Sequence, residues 1–164
     1  FVLGGFPVQD PRGGVEGVEK PGNVGAVLRT ADGAGIDAVI AASPATDLYN
    51  PNAIRASAGT IFGLPLAAAS SGQVLSWLRT RDIRIATARV DADLAYTDAD
   101  LTGALAIVLG AEADGLTGAW DGPDVIPVRI PMAGAADSLN VSISAAILAY
   151  EARRQRDIGA GGTR

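Results

Sequence analysis

Along the chain, hydrophobic positions fall into two kinds of pattern that alternate from residue 23 onward. Residues 23–34 carry helix-spaced apolar positions, opened by Pro21-Gly22-Asn23 and closed near Gly35, which predicts a helix with Asn23 as its N-cap. The continuous apolar run Ile36–Ala42 then predicts a buried strand. The same logic gives a short helix over 50–58, a strand over 64–68 and a helix over 71–81 with Val74, Leu75 and Leu78 on one side. Strands follow over 83–88, 105–109 and 125–130, and the longest helical stretch is 138–156, with Val141, Ala145, Leu148 and Ala152 on one face. Ser138 is read as opening this helix and Asn140 as lying in its first turn. Strands that are apolar on both faces and alternate with helices predict an α/β fold with a mainly parallel sheet flanked by helices.

The chain ends carry less pattern. Residues 1–14 read as an N-terminal extension or the remnant of an upstream region, because 4–14 hold the Gly and Pro content of a loop. Residues 15–157 form the predicted domain and 158–164 a flexible tail. A length of 164 residues suits one core of ordinary size. No apolar run is long enough for a membrane span and residues 1–14 lack the pattern of a signal peptide, so the expectation is a cytoplasmic protein with no membrane partner.

Composition narrows the chemistry. There is no Cys and no His, which removes thiolate and imidazole nucleophiles, bases and metal ligands; no metal site is expected. What remains is Asp, Glu, Arg, Tyr, Ser, the single Lys20, or a cofactor that brings its own reactivity. The net charge of −5 means that any site for nucleic acid must be local rather than spread over the surface.

Three segments hold the candidate chemistry. In the first, Pro21-Gly22-Asn23 leads into a helix that carries Arg29 almost two turns on; alone, this is a capped surface helix with a solvated arginine. In the second, the strand Ile107-Val-Leu109 runs into Gly110 and turns through Ala-Glu112-Ala-Asp-Gly115 toward a helix expected to start at Leu116. Glycines at the carboxyl end of a parallel strand let backbone approach a ligand. In the third, a strand stops at Pro131, and Ser138-Leu139-Asn140 leads into the long helix, whose free N–H groups can hold a carboxylate or another polar edge.

Read in order, Pro-Gly-Asn-x-Gly-x-x-x-Arg-Thr-Ala, Leu-Gly-x-Glu-x-x-Gly-Leu and Ile-Pro-Met followed by Ser-Leu-Asn-Val-Ser resemble the three motifs of TrmH/SpoU-type RNA 2′-O-ribose methyltransferases of the SPOUT superfamily. The likeness spans residues 15–156, and Arg55-Ala-Ser-Ala-Gly-Thr-Ile-Phe-Gly-Leu-Pro65 is similar to the family's segment between the first two motifs. The resemblance implies a C-terminal deep trefoil knot. It also implies S-adenosyl-L-methionine held by Ala88, Leu109, Gly110, Ile130, Met132, Ser138 and Leu139. It implies catalytic roles for Arg29, Asn23, Glu112, Ser138 and Asn140, contact of Arg29 and Arg55 with the RNA substrate, and a homodimer whose interface is sought on the long helix with its stripe of small residues. The implied reaction is methyl transfer to a ribose 2′-hydroxyl in structured RNA. The Glu-Gly-Val-Glu-Lys-Pro-Gly-Asn start favours ribosomal over transfer RNA and leans toward relatives that confer antibiotic resistance. Two other readings stay open: an RNA base methyltransferase of the same superfamily, and a catalytically silent RNA-binding scaffold.

Overall fold

The computed structural model describes residues 1–4, 20–42, 47–110 and 115–161. In chain order these form β1 (Val2–Gly4), α1 (Pro21–Ala34), β2 (Ala38–Ala42), α2 (Pro51–Ala56), β3 (Leu66–Ala69), α3 (Ser71–Arg79), β4 (Arg84–Ala88), β5 (Leu105–Val108), β6 (Val125–Val128) and α4 (Val141–Gly159). Single 3-10 turns lie at Thr60–Phe62 and Gly118–Trp120.

The six strands make one sheet in the order β3-β2-β1-β5-β4-β6. All pairs are parallel except those of β1, which runs antiparallel to both neighbours, with Val2 opposite Ile40 on one side and Val108 on the other. The stretch whose composition reads as an N-terminal extension therefore contributes a central strand. Three residues are too few to display an alternation, and the pairing on both edges, not the local sequence, specifies the strand.

Alternate residues of the sheet face two cores. Leu3, Val39, Leu105 and Ile107 face α1, α2 and α4, while Val2, Ile40, Ala106 and Val108 face α3 and Trp120. Val74, Leu75 and Leu78 are buried on α3, and Val141, Ala145, Leu148 and Ala152 on α4, as their spacing predicts.

Helix boundaries shift where capping was read from sequence. Helix α1 begins at Pro21, whose missing N–H costs nothing in a first turn, so Lys20 occupies the cap position and Asn23 lies inside the first turn. Helix α4 begins at Val141, with Asn140 as its N-cap rather than a first-turn residue, and Ser138 lies before it. After Gly115 the chain forms only the 3-10 turn Gly118–Trp120, which buries Trp120, instead of a helix from Leu116.

Helices α1 and α4 lie side by side and run in the same direction. Asn140 bonds Asn23 at their starts, and ten residues further along α1 the carbonyl of Gly33 accepts from Arg153 Nη1 at 3.2 Å. On its other flank α1 meets α2 at Gly25, where an added Cβ would lie 2.4 Å from Ala56 Cβ and 2.6 Å from the Ser57 nitrogen. The link from β4 to β5 crosses the α4 side as an irregular strap. Gln155 of α4 holds it, donating to the Ala99 carbonyl at 3.0 Å and accepting from the Leu101 amide at 2.8 Å. Arg129 adds bonds to the carbonyls of Ala92 and Asp93, both at 2.9 Å. No helix among the described residues is long and apolar enough to cross a membrane.

The closeness of α1 to α2 sets an expected outcome. Gly25→Ala lowers stability by about 1–3 kcal/mol through overpacking, whereas Gly22→Ala, with nothing within 4 Å of the added methyl, leaves it unchanged or raised. Denaturant midpoints of the two variants check this, and equal midpoints would remove the contact from the account.

Candidate functional site

The carboxyl ends of β4, β5 and β6 and the start of α4 enclose a cavity of about 460 Å³. That position is where open α/β sheets bind small molecules, and the volume lies within the common range for such sites. Leu109, Val128 and Ile130 supply apolar wall, while Ser138, Leu139, Val141 and Ser144 come from the start of α4 and the chain before it. The loop 131–138 is exposed throughout and forms the solvent side.

Ala88, Leu109, Gly110, Ile130, Met132, Ser138 and Leu139, widely separated in the chain, all line this one cavity. Gly110 is there for a steric reason. A Cβ on it would fall 2.3 Å from the backbone carbon of Gly115, so only glycine lets the backbones of residues 110 and 115 come this close. Gly115 itself has φ 64°, in the left-handed region that favours glycine. Glu112 lies outside the described residues.

The first segment reaches the site through a side-chain bond. Asn140 Nδ2 donates to Asn23 Oδ1 at 3.2 Å, and Asn140 Oδ1 accepts from the Ser142 amide at 2.9 Å. One amide side chain thus caps α4 and fastens the start of α1 beside the cavity. The sequence suggests a cap at Asn23 and a first-turn position for Asn140; the structure makes Asn140 the cap and Asn23 its partner.

Arg29 is exposed and is not among the residues lining the cavity. It stands six residues beyond Asn23, about 9 Å along the helix axis, and four beyond Gly25, hence on the flank that meets α2. Arg55, exposed at the end of α2, belongs to that same flank.

The electrostatics single out these two. Arg79, Arg84, Arg89 and Arg154 are paired with carboxylates. Arg129, Arg153 and Arg156 donate to backbone carbonyls, and Arg81 lies over the Trp77 ring. Arg55 reaches only the neutral Asn52 Oδ1, at 2.6 Å. Arg29 makes no hydrogen bond or ion pair among the described residues. Arg29 and Arg55 thus lie on one flank of an acidic chain with no carboxylate paired to either among the described residues.

Sequence reasoning stopped at Ala88 and missed Arg89, Val90 and Asp91, which continue the cavity wall. The signal was present, since two opposite charges directly after an apolar parallel strand mark its carboxyl end. Ser144 gives no such signal, because one more hydroxyl in a Ser/Ala-rich helix is unremarkable until the cavity is seen. No group of His, Cys, Asp and Glu suited to a metal ion occurs among the described residues.

Comparison with known proteins gives a consistent set of relatives. The model of the SpoU rRNA Methylase family matches residues 14–150. A 23S rRNA (uridine(2479)-2′-O)-methyltransferase of Streptomyces viridochromogenes is 37% identical over 146 residues, covering 85% of this chain and 51% of its own length. A crystal structure of an RNA 2′-O ribose methyltransferase superposes with a TM-score of 0.80 at 44% identity, over 92% of this chain and 60% of that one. The SpoU methyltransferase AviRb from Streptomyces viridochromogenes, in complex with the cofactor AdoMet, gives a TM-score of 0.80 at 36% identity, over 91% of this chain and 62% of that one. The chain spans between about half and three fifths of the length of the curated relatives it matches.

The double role of Asn140 can be separated. Asn140→Ala removes the cap and costs about 0.5–2 kcal/mol, while Asn140→Ser, also a good cap but too short to reach Asn23, keeps most of that stability. Thermal denaturation of both variants checks this; equal losses would place the stabilising contribution in the link to Asn23 instead.

Proposed function

Because the chain belongs to the SpoU rRNA Methylase family, we propose that it transfers a methyl group from S-adenosyl-L-methionine to a ribose 2′-hydroxyl in structured RNA, with ribosomal RNA favoured over transfer RNA. The observation that carries the proposal is the bond from Asn140 to Asn23. It ties the helix bearing an unpaired guanidinium to a cavity of cofactor size.

The residues present fit the cofactor. The cavity offers apolar wall for a purine and the hydroxyl-bearing residues Ser138 and Ser144 for polar edges, with the side-chain-free Gly110 and Gly115 in its lining. Ala88, Leu109, Gly110, Ile130, Met132, Ser138 and Leu139 would hold it. When bound, S-adenosyl-L-methionine supplies a methyl group on a sulfonium, already a good leaving group, so the chain's task is to position and to stabilise charge.

Arg29 and Arg55 anchor phosphates of the RNA along the α1–α2 flank. Arg29 acts as a hydrogen-bond donor rather than a base, and it favours negative charge as it develops on the attacking 2′-oxygen. Asn23, Ser138 and Asn140 order the cavity mouth, with Glu112 assigned to the same task by its motif. The deep trefoil knot belongs to this reading through the family.

A homodimer is also part of the proposal, with a changed interface. The small residues Ala145, Ala149 and Ala152 of α4 are buried within its own chain, so that stripe is not free for a partner. Ile143 and Tyr150, two turns apart and about half exposed (50% and 51%), offer the outward face instead.

Incubation of ribosomal RNA with the protein and methyl-labelled S-adenosyl-L-methionine tests the reading. Label at a single nucleotide whose 3′ linkage resists alkali is the expected product, since a 2′-O-methyl group blocks cleavage. Label on a base would establish the base-modifying alternative, and cofactor binding without transfer to any RNA would establish the scaffold. Arg29→Ala is expected to reduce transfer by about 100-fold or more, with cofactor affinity changed less than about threefold; parallel loss of both would show that the arginine belongs to the cofactor site.

A further inference from the structure

We propose that Asp91 is the charge selector of the cavity, favouring the methylated, net positive cofactor over the neutral product left after transfer. The proposal rests on reading the cavity as an S-adenosyl-L-methionine site and adds a residue that the three motifs do not contain.

Two charged residues among the described ones line the cavity, Arg89 and Asp91, both just past the carboxyl end of β4. They are not equivalent. The Arg89 guanidinium donates to the carboxylate of Asp121, which does not line the cavity. Its charge is therefore balanced from outside. Asp91 makes no hydrogen bond or ion pair among the described residues. Asp91, an exposed residue of the cavity lining, thus carries an acid without a protein partner, two residues from an arginine already neutralised.

S-adenosyl-L-methionine carries a sulfonium, an ammonium and a carboxylate, for a net charge of plus one. S-adenosylhomocysteine keeps the adenine, the ribose hydroxyls, the ammonium and the carboxylate but has lost the charge on sulfur. In the transfer the carbon–sulfur bond breaks, the carbon–oxygen bond forms, sulfur keeps the electron pair, and the hydroxyl proton passes to solvent. An unpaired anion in the wall therefore attracts the two molecules differently even without touching the sulfur, since Coulomb energy falls only inversely with distance. The consequence is directional: affinity drops as the methyl group leaves, which assists product release.

Isothermal titration of the purified protein with each ligand tests this. Asp91→Asn is expected to weaken S-adenosyl-L-methionine by about three- to fivefold, the scale of an exposed charge pair, and S-adenosylhomocysteine by less than about twofold. The preference of the unsubstituted protein should shrink between about 0.05 M and about 0.5 M salt as the charges are screened, and Asp91→Glu should retain it. Equal weakening of both ligands would overturn the proposal, because it would place Asp91 on a group the two share, such as the ribose hydroxyls or the ammonium. No change in either would overturn it as well. Failure of the unsubstituted protein to bind either ligand would instead sink the reading of the cavity, and the selector with it.

Discussion

The parallel contact of α1 with α4, closed at its start by the side-chain hydrogen bond from Asn140 to Asn23, is the constraint on which the site depends. Residues 117 apart in sequence meet there, so the bond depends on the tertiary packing that brings the two helix starts together. Helix α1 is held on its other flank by the glycine contact with Ala56. With both sides fixed, the direction in which α1 carries Arg29 follows from helical geometry alone. The arginine does not line the cavity; it is exposed on the α2 flank of the helix whose start is fastened beside that cavity.

Charge is managed by subtraction. The chain is acidic, and most described arginines are spent on fastening structure: Arg79 to Asp124, Arg84 to Asp100, Arg89 to Asp121 and Arg129 to the strap. Asp100 is held at about 2, first by hydrogen bonds from Thr102 and then by Arg84, so this anchor stays ionised well below neutral pH. Among the charges left without an ionic partner are Arg29 and Arg55 on the α1–α2 flank and Asp91 among the cavity residues.

Much of this was legible in the sequence, and the reasons differ by residue. Val74, Leu75 and Leu78, or Val141, Ala145, Leu148 and Ala152, report their buried faces because helical spacing is a local signal. The clustering of Leu109, Gly110, Ile130, Met132 and Ser138 around one cavity was legible only through the resemblance of the three motifs to a known family, since no local rule brings such distant residues together. Strand β1 was hidden because its pairing is tertiary. The cap roles of Asn23 and Asn140 were misread because Pro21 starts its helix earlier, and Asn140 has one amide group that serves two elements. Arg89 and Asp91 carried a readable signal at a strand end, but which of them is neutralised depends on Asp121, thirty residues on.

The central claim is that the carboxyl ends of β4 and β5, the chain after β6 and the start of α4 form a single cofactor crevice beside the anchored start of α1. Backbone amide chemical shifts recorded during titration with S-adenosyl-L-methionine test it most directly. Shifts concentrated at residues 88–91, 109–110, 128–132 and 138–144, with α3 unaffected, are the predicted result. Shifts centred on α3, or scattered over the surface with none at Leu109, Ile130 and Leu139, would contradict it.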